Sequence, residues 1–309
     1  MPLLAEYALT PDVFDMASYS SEEVCGLHLQ SLKEVLLHEG LVRDLRAGEW
    51  AKNFTRAGRS WHMRGKELLT KLATQRRLVS APTALPGDPT DDAQWCNEAL
   101  ASHRNQQLTG IIATDSTAAP HVDTEIISSI SKLTSANWWI ARSPSVRLAR
   151  TLKHYELALD LVLQHANSLM LIDPHIDPTN GHQYGDLIRL LAKLQHRAVK
   201  PLVELHRASW YDGGQDKIPK VREVVNALTP QLSALAKSWG ISFDVFLWDD
   251  VHDRYLISDL IGISLPYGFA TTKAPNAMTT WTRVGRADRD LIQRDFDPAF
   301  RAPRHRFKI

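Results

Sequence analysis

Cysteine is scarce in this chain. Cys25 and Cys96 are its two thiols in 309 residues, too few for a disulfide framework, and both fall in helical patterns where a buried free thiol is the ordinary state. No Cys/His cluster has the spacing of a zinc site. No apolar run approaches the ~18 residues of a membrane span, and the opening MPLLAEYALTPD is too short and too acidic for a signal peptide. These absences predict a soluble, cytoplasmic protein. Net charge is also small: at +1 overall, any electrostatic footprint for a polyanion has to be local. The remainder, 44% apolar and 23% charged, is ordinary globular composition, and the length suits one large or two medium domains.

Residues 251–259, VHDRYLISD, carry the most specific pattern: His252, Arg254 and Asp259 in the spacing H-x-R-x4-D. Residues 241–248 (ISFDVFLW) are β-branched and aromatic, Asp249 and Asp250 read as a turn, and residues 255–258 return as a second apolar run. Alternate side chains of a strand share a face, so His252 and Arg254 are expected to project together. An imidazole can attack phosphorus, and a guanidinium can hold two non-bridging oxygens. Asp259 lies an odd number of residues from His252 and joins the pair only if the strand bends. The plainer reading is a salt-bridged surface corner.

Along the chain, Ser20 to Glu23 reads as a capping box opening a helix that runs to about His38, with Gly40 closing it. A short charged segment and a helix capped by Ser60 follow. Residues 80–92 (SAPTALPGDPTDD) are the best linker, with three prolines and no periodicity. A helix (AQWCNEALASHRN) and a strand-like LTGIIATD come next; NWWIAR at 137–142 reads as a strand, and 146–166 as one helix. His121 and Asp123 have no partner at ligand spacing and take no role. From residue 168 the order becomes regular: strand SLMLID, helix 185–196, strand PLVEL, a helix ended by Gly240, then strands at 241–248, 251–258 and 262–267. That β-α-β-α-β-β-β order predicts parallel strands with right-handed crossovers and a final hairpin.

The H-x-R-x4-D spacing together with this element order resembles the phospholipase D superfamily, whose motif is H-x-K-x4-D, over roughly residues 138–290. The resemblance implies an α/β fold, a phospholipase D-like mixed sheet flanked by helices. The division expected is a mainly helical N-terminal domain over 1–118 and a phospholipase D-like domain with a basic tail over 119–309. It further implies phosphodiester chemistry through a phosphohistidine, with His252, Arg254 and Asp259 catalytic and with no metal or cofactor. Asp173 and His175 belong to a D-P-H-I-D element similar to D-P-Y-[LI]-D at the first strand end. With Asp250 and Ser264 they are the supporting or phosphate-binding candidates, since ligands collect at the carboxyl ends of parallel strands. His206 and Arg207 end the second strand, where a plain surface loop is the favoured reading. One motif copy implies a homodimer that builds a single site across a twofold axis. Three departures are visible: arginine replaces lysine, the G-S-x-N that usually follows is here Leu265-Pro266-Tyr267-Gly268, and the H-D-R form also resembles the non-catalytic, phosphoinositide-binding C-terminal domain of the MIT-domain protein family.

Local charge favours a polyanionic partner. Ten Lys or Arg against three acids lie between Arg43 and Arg77, interleaved with Trp50, Phe54 and Trp61. Arg56, Arg59, Arg64 and Lys66 are the nucleic-acid-binding candidates, although the tryptophans equally suit a core. From Arg283 onward there are eight Lys or Arg and four Asp. A basic helical module beside a single-motif phosphodiesterase is similar to proteins of bacterial phage-defence loci, which implies partners in a larger defence complex. Two further readings stay open: an inactive nucleic-acid-binding or regulatory subunit, and a lipid-headgroup binder.

Overall fold

The structure, a computed structural model, describes residues 3–55, 58–177, 179–181, 184–210, 220–274 and 276–309. It divides into two units, Leu4–Arg142 and one built on Ser143–Ile309. The boundary therefore falls at 142/143 and not at 118/119.

The first unit is α/β and not mainly helical. Its elements are β1 (Ala5–Leu9), α1 (Glu22–His38), β2 (Gly40–Asp44), α2 (Leu45–Lys52), α3 (Met63–Thr74), β3 (Leu78–Ser80), α4 (Asp92–Asn105), β4 (Gly110–Ala113), α5 (Asp115–Ala118), β5 (Ile127–Ser129) and α6 (Asn137–Ile140). The strands form one parallel sheet in the order β3-β2-β1-β4-β5. Both faces are covered, so β1 and β4 are buried at every position and show no alternation. Ser21, one residue past the expected start, caps α1 by accepting from the Val24 N–H at 3.3 Å. Cys25, Leu29, Leu32 and Leu36 then line its buried face. Burial pushes the Cys25 thiol up to about 11 and Cys96 up to about 12.

Several basic residues of this unit serve its interior. Arg43 is fully buried on β2 and makes a two-pronged pair with Glu6 on β1, at 2.7 and 2.8 Å. Its third nitrogen donates to the Ser102 and Gln106 carbonyls that end α4, at 3.2 and 2.8 Å. Arg46 and Ala47 hold left-handed φ of +57° and +54°; buried Glu98 (3.3 Å) and exposed Asp88 (3.0 Å) fix the Arg46 guanidinium. The same Glu98 accepts the Ala84 and Leu85 N–H groups at 2.6 and 3.0 Å. Residues 80–92 are thus pinned inside the unit and do not link domains. The first four residues of NWWIAR form the short helix α6 and no strand, with Trp138 and Trp139 each 5.9 Å from the Tyr7 ring.

The second unit contains β6 (Ser145–Ala149), α7 (Leu152–His165), β7 (Ser168–Ile172), α8 (Gly185–Leu191), β8 (Leu202–Ala208), α9 (Val221–Trp239), β9 (Phe243–Trp248), β10 (Tyr255–Ser258), β11 (Gly262–Ser264), β12 (Met278–Val284), α10 (Arg286–Asp295) and β13 (His305–Lys308). Its mixed sheet has the order β13-β9-β8-β7-β10-β11-β12-β6. The strands β7, β8 and β9 are parallel, and all other pairings are antiparallel. The expected helix over 146–166 is a strand followed by a helix, because β6 pairs with β12 in the register Met278↔Ala149. Gly240, at φ +66°, ends α9. After β9 the chain does not fold back on itself: β10 pairs with β7, Tyr255 opposite Ile172. Residues 249–254 therefore cross the carboxyl end of β8, and Asp249-Asp250 is no hairpin turn.

Candidate functional site

The crossing segment runs over the carboxyl ends of parallel strands, the place where open α/β sheets collect ligands. Val251 is 2% exposed and anchors it in an apolar cluster with Met170, Ile172, Phe246, Trp248 and Phe296. His252 points outward instead. Its side chain is 63% exposed, and its Nε2 lies 2.7 Å from Asp250 Oδ1. A ring nitrogen that close to a carboxylate carries the proton, which leaves Nδ1 as the basic atom. The pair opens on a pocket of about 320 Å³ whose wall includes Asp253, Arg294, Asp295, Phe296, Phe300 and Arg301. Arg301 is held in place by donating to the Asp250 carbonyl at 3.1 Å and by lying 5.2 Å over the Trp248 ring.

Arg254 is not the partner of His252 that a shared strand face predicts. Regular pleating starts at Tyr255, so alternation does not govern residues 252 and 254. The Arg254 Nε lies 3.5 Å from Asp173 Oδ1, and its Nη1 donates to the Pro266 carbonyl at 3.5 Å. Asp173 is fully buried and accepts from the His175 N–H (2.9 Å), the Tyr184 hydroxyl (3.1 Å) and the Phe269 N–H (3.4 Å). Burial holds its carboxyl above the ordinary aspartate range, against the opposing pull of the His175 N–H and Arg254.

The turn at residues 265–268 wraps this carboxylate. Gly268 sits there at φ +58°, and a Cβ on it would come within 1.9 Å of Asp173 Oδ2. Gly268→Ala is therefore expected to lower unfolding free energy by roughly 2–4 kcal/mol, from backbone strain plus collision. Urea unfolding of the purified variant measures it, and an unchanged midpoint would contradict this packing.

The other expected site residues fall as follows. Asp259 is at the far end of β10, where its carboxylate accepts from Asn167 N (2.9 Å), Asn167 Nδ2 (3.1 Å) and Ser168 N (3.4 Å). It ties down the start of β7 and does not reach His252. Ser264 is half-buried on β11, opposite Tyr255. The His175 ring stands edge-on to Trp210 at 5.8 Å. His206 and Arg207 are buried and form no surface loop. His206 is stacked on Phe246 at 4.6 Å and accepts from Trp248 Nε1 at 3.1 Å, and burial pushes its imidazole below the usual histidine range against the opposing pull of Glu204.

Among the described residues of the basic stretch, the aromatics pack on one another. Trp50 is wholly buried and packs edge-on to Phe54 and Phe14 at 5.0 and 6.0 Å; Phe54 in turn meets Trp61 at 4.7 Å. Arg59 pairs with Asp92 at 2.9 Å and lies 5.4 Å over Trp61. Arg64 donates to the Gly26 carbonyl at 3.0 Å, Lys66 is exposed, and Arg56 lies outside the described residues. The basic tail is also tethered: Arg304 pairs with Asp249, and Arg306 grips Asp244 at 2.9 and 2.5 Å. The Arg304 bond is the main reason that the Asp249 carboxyl sits below its usual range.

Two groups escape a reading of the sequence. Arg294, Phe300 and Arg301 reach the pocket only because the tail folds back beside β9. In the first unit, strand order reverses between β1 and β4, and there buried Asp12 accepts from Thr10 (2.5 Å), Thr117 (2.6 Å) and Thr114 hydroxyls. The signal was an aspartate just past one strand and a Thr-x-x-Thr just past another. Those three hydroxyls satisfy the carboxylate internally. Among the described residues no three His, Cys, Asp or Glu side chains are grouped to hold a metal ion, and none of their helices is long and apolar enough to cross a membrane.

No protein-family model matches the chain, and no curated protein matches it. Among solved structures, it is similar to TrmBL2, an archaeal chromatin protein whose structure is described as showing a novel mode of DNA binding. The identity is 14% over 77% of this chain and 80% of that one, with a TM-score of 0.31. Likeness at that level carries nothing about fold or function.

Proposed function

We propose that the second unit is a metal-independent phosphodiesterase acting on nucleic acid, with His252 as nucleophile. One observation supports this most: an exposed imidazole whose Nε2 is held 2.7 Å from Asp250, in a pocket that Arg294 and Arg301 also line. Asp250 fixes the tautomer and stabilises the imidazolium character that develops as Nδ1 bonds to phosphorus. Arg301, held by its bond to the Asp250 carbonyl, and Arg294 offset charge on the non-bridging oxygens. The departing alkoxide needs a proton, and in a homodimer a second copy of His252 is the general acid. Water then hydrolyses the phosphohistidine.

A second reading is a phosphate-binding module without turnover. It is favoured by the engagement of Arg254 with buried Asp173, which draws that guanidinium toward the protein and away from a substrate.

The test is incubation of the full chain with labelled DNA and RNA in EDTA, with samples quenched in alkaline SDS examined for labelled protein. Turnover that survives EDTA, with an acid-labile, base-stable phosphoprotein, is the expected result. Cleavage that stops in EDTA would remove this mechanism, and binding with no cleavage in any buffer would leave the module reading.

A further inference from the structure

The wall of the His252 pocket holds one feature that phosphate chemistry alone does not use. Phe300 is 71% exposed and lines the pocket together with His252 and Arg301. A lone exposed aromatic is unremarkable on a protein surface; this one shares a pocket wall with an imidazole and a guanidinium. Its neighbour Phe296 is spent on the interior, 9% exposed and edge-on to Trp248 at 5.6 Å. The turn that carries Phe300 is braced: the Asp297 carboxylate accepts the Ala299 N–H at 2.8 Å, and the Asp297 carbonyl accepts the Phe300 and Arg301 N–H groups, each at 3.0 Å. Arg301 then bonds to the Asp250 carbonyl, so one network of hydrogen bonds joins the turn that carries Phe300 to the segment that carries His252.

An exposed ring on the wall of a pocket of about 320 Å³ that also holds His252 and Arg301 is complementary to a flat π-face attached to a phosphate. A duplex keeps its base faces stacked inside, and a lipid headgroup has no planar face to offer. From this arrangement we infer that the pocket takes a phosphate of single-stranded nucleic acid, with the adjoining base stacked on Phe300. The inference rests on the phosphodiesterase reading for its choice of site and deepens it by naming the strand state of the substrate.

The experiment separates binding from turnover by using His252→Asn in the full chain. Fluorescence anisotropy in EDTA compares a labelled unstructured single strand, as DNA and as RNA, with a blunt duplex of the same sequence and with vesicles rich in phosphatidic acid. The single strand is expected to bind at least 10-fold tighter than the duplex. Adding Phe300→Ala should weaken it by about 5- to 150-fold, the range that stacking contributes per base, and Phe300→Trp should restore it. Because Phe300 is exposed, its variants should melt with the parent. Equal affinity for duplex and single strand, an unchanged affinity in Phe300→Ala, or preferential capture by the vesicles would overturn the inference. EDTA-resistant cleavage without Phe300 dependence overturns only the stacking. Phe300-dependent single-strand binding without cleavage by the unmodified chain supports the stacking and removes the phosphodiesterase.

Discussion

His252→Ala should lower EDTA-resistant cleavage by at least about 10³-fold while leaving the fold intact, since loss of a nucleophile leaves only binding and charge stabilisation. Asp250→Asn should cost less, about 10- to 100-fold, because a neutral amide still accepts a hydrogen bond but no longer stabilises positive charge on the ring. The two effects should not multiply in the double variant, because both residues act through one imidazole. Stability provides the control. With side chains 63% and 69% exposed, the pair is well solvated, and exposed ion pairs contribute about 0–1 kcal/mol. Neither variant should shift the urea midpoint beyond ~0.5 kcal/mol. Rates from a single-turnover time course and a melt on the same samples decide it. Full activity in His252→Ala would end the catalytic assignment.

Arg43→Ala should cost about 3–5 kcal/mol, the penalty for breaking a buried pair and stranding its partner. The loss extends beyond Glu6, since the Ser102 and Gln106 carbonyls at the end of α4 also lose a donor. Arg43→Met with Glu6→Leu should recover most of the deficit, because removing both charges leaves no stranded ion. Urea unfolding of the single and double variants forms the cycle that measures it. A cost under ~1 kcal/mol for Arg43→Ala would place that side chain in solvent and return it to the surface.

Arg43 also shows where sequence reading stops. Counted along the chain it adds to a basic stretch; in the fold it caps a helix and neutralises Glu6 on the adjacent strand. Its partners lie too far away in sequence for local charge to reveal them. LTGIIATD shows β4, whereas β1 and β2 of the same unit are hidden in the sequence for a related reason. Short strands buried along nearly their whole length show no alternation, and their leucines and valines blend into the flanking segments. β6 was concealed differently: Val146 and Leu148 prolong the apolar stripe of α7, and only pairing with β12 sets them apart.

More of the second unit was legible. SLMLI and FDVFLW are uninterrupted apolar runs, and Gly240 marks the end of α9. The order of strands and helices from β7 to β11 follows the sequence pattern, whereas the pairing of β10 with β7 does not. That pairing decides the site. It turns 249–254 into an irregular crossing, so strand alternation misassigned the partner of His252, and Asp250 took the place expected of Arg254.

The ribbon β13 has a consequence beyond the pocket. It occupies the outer row of N–H and C=O groups on β9, all six of whose residues are buried. Were those four residues to peel away, a bare hydrophobic rim would be left, of the kind on which chains zip together into aggregates. The same event would loosen the tail segment that carries Arg301 and Phe300. Solubility and the wall of the His252 pocket thus share one short tether, and damage to it should surface as precipitation before the pocket itself is lost.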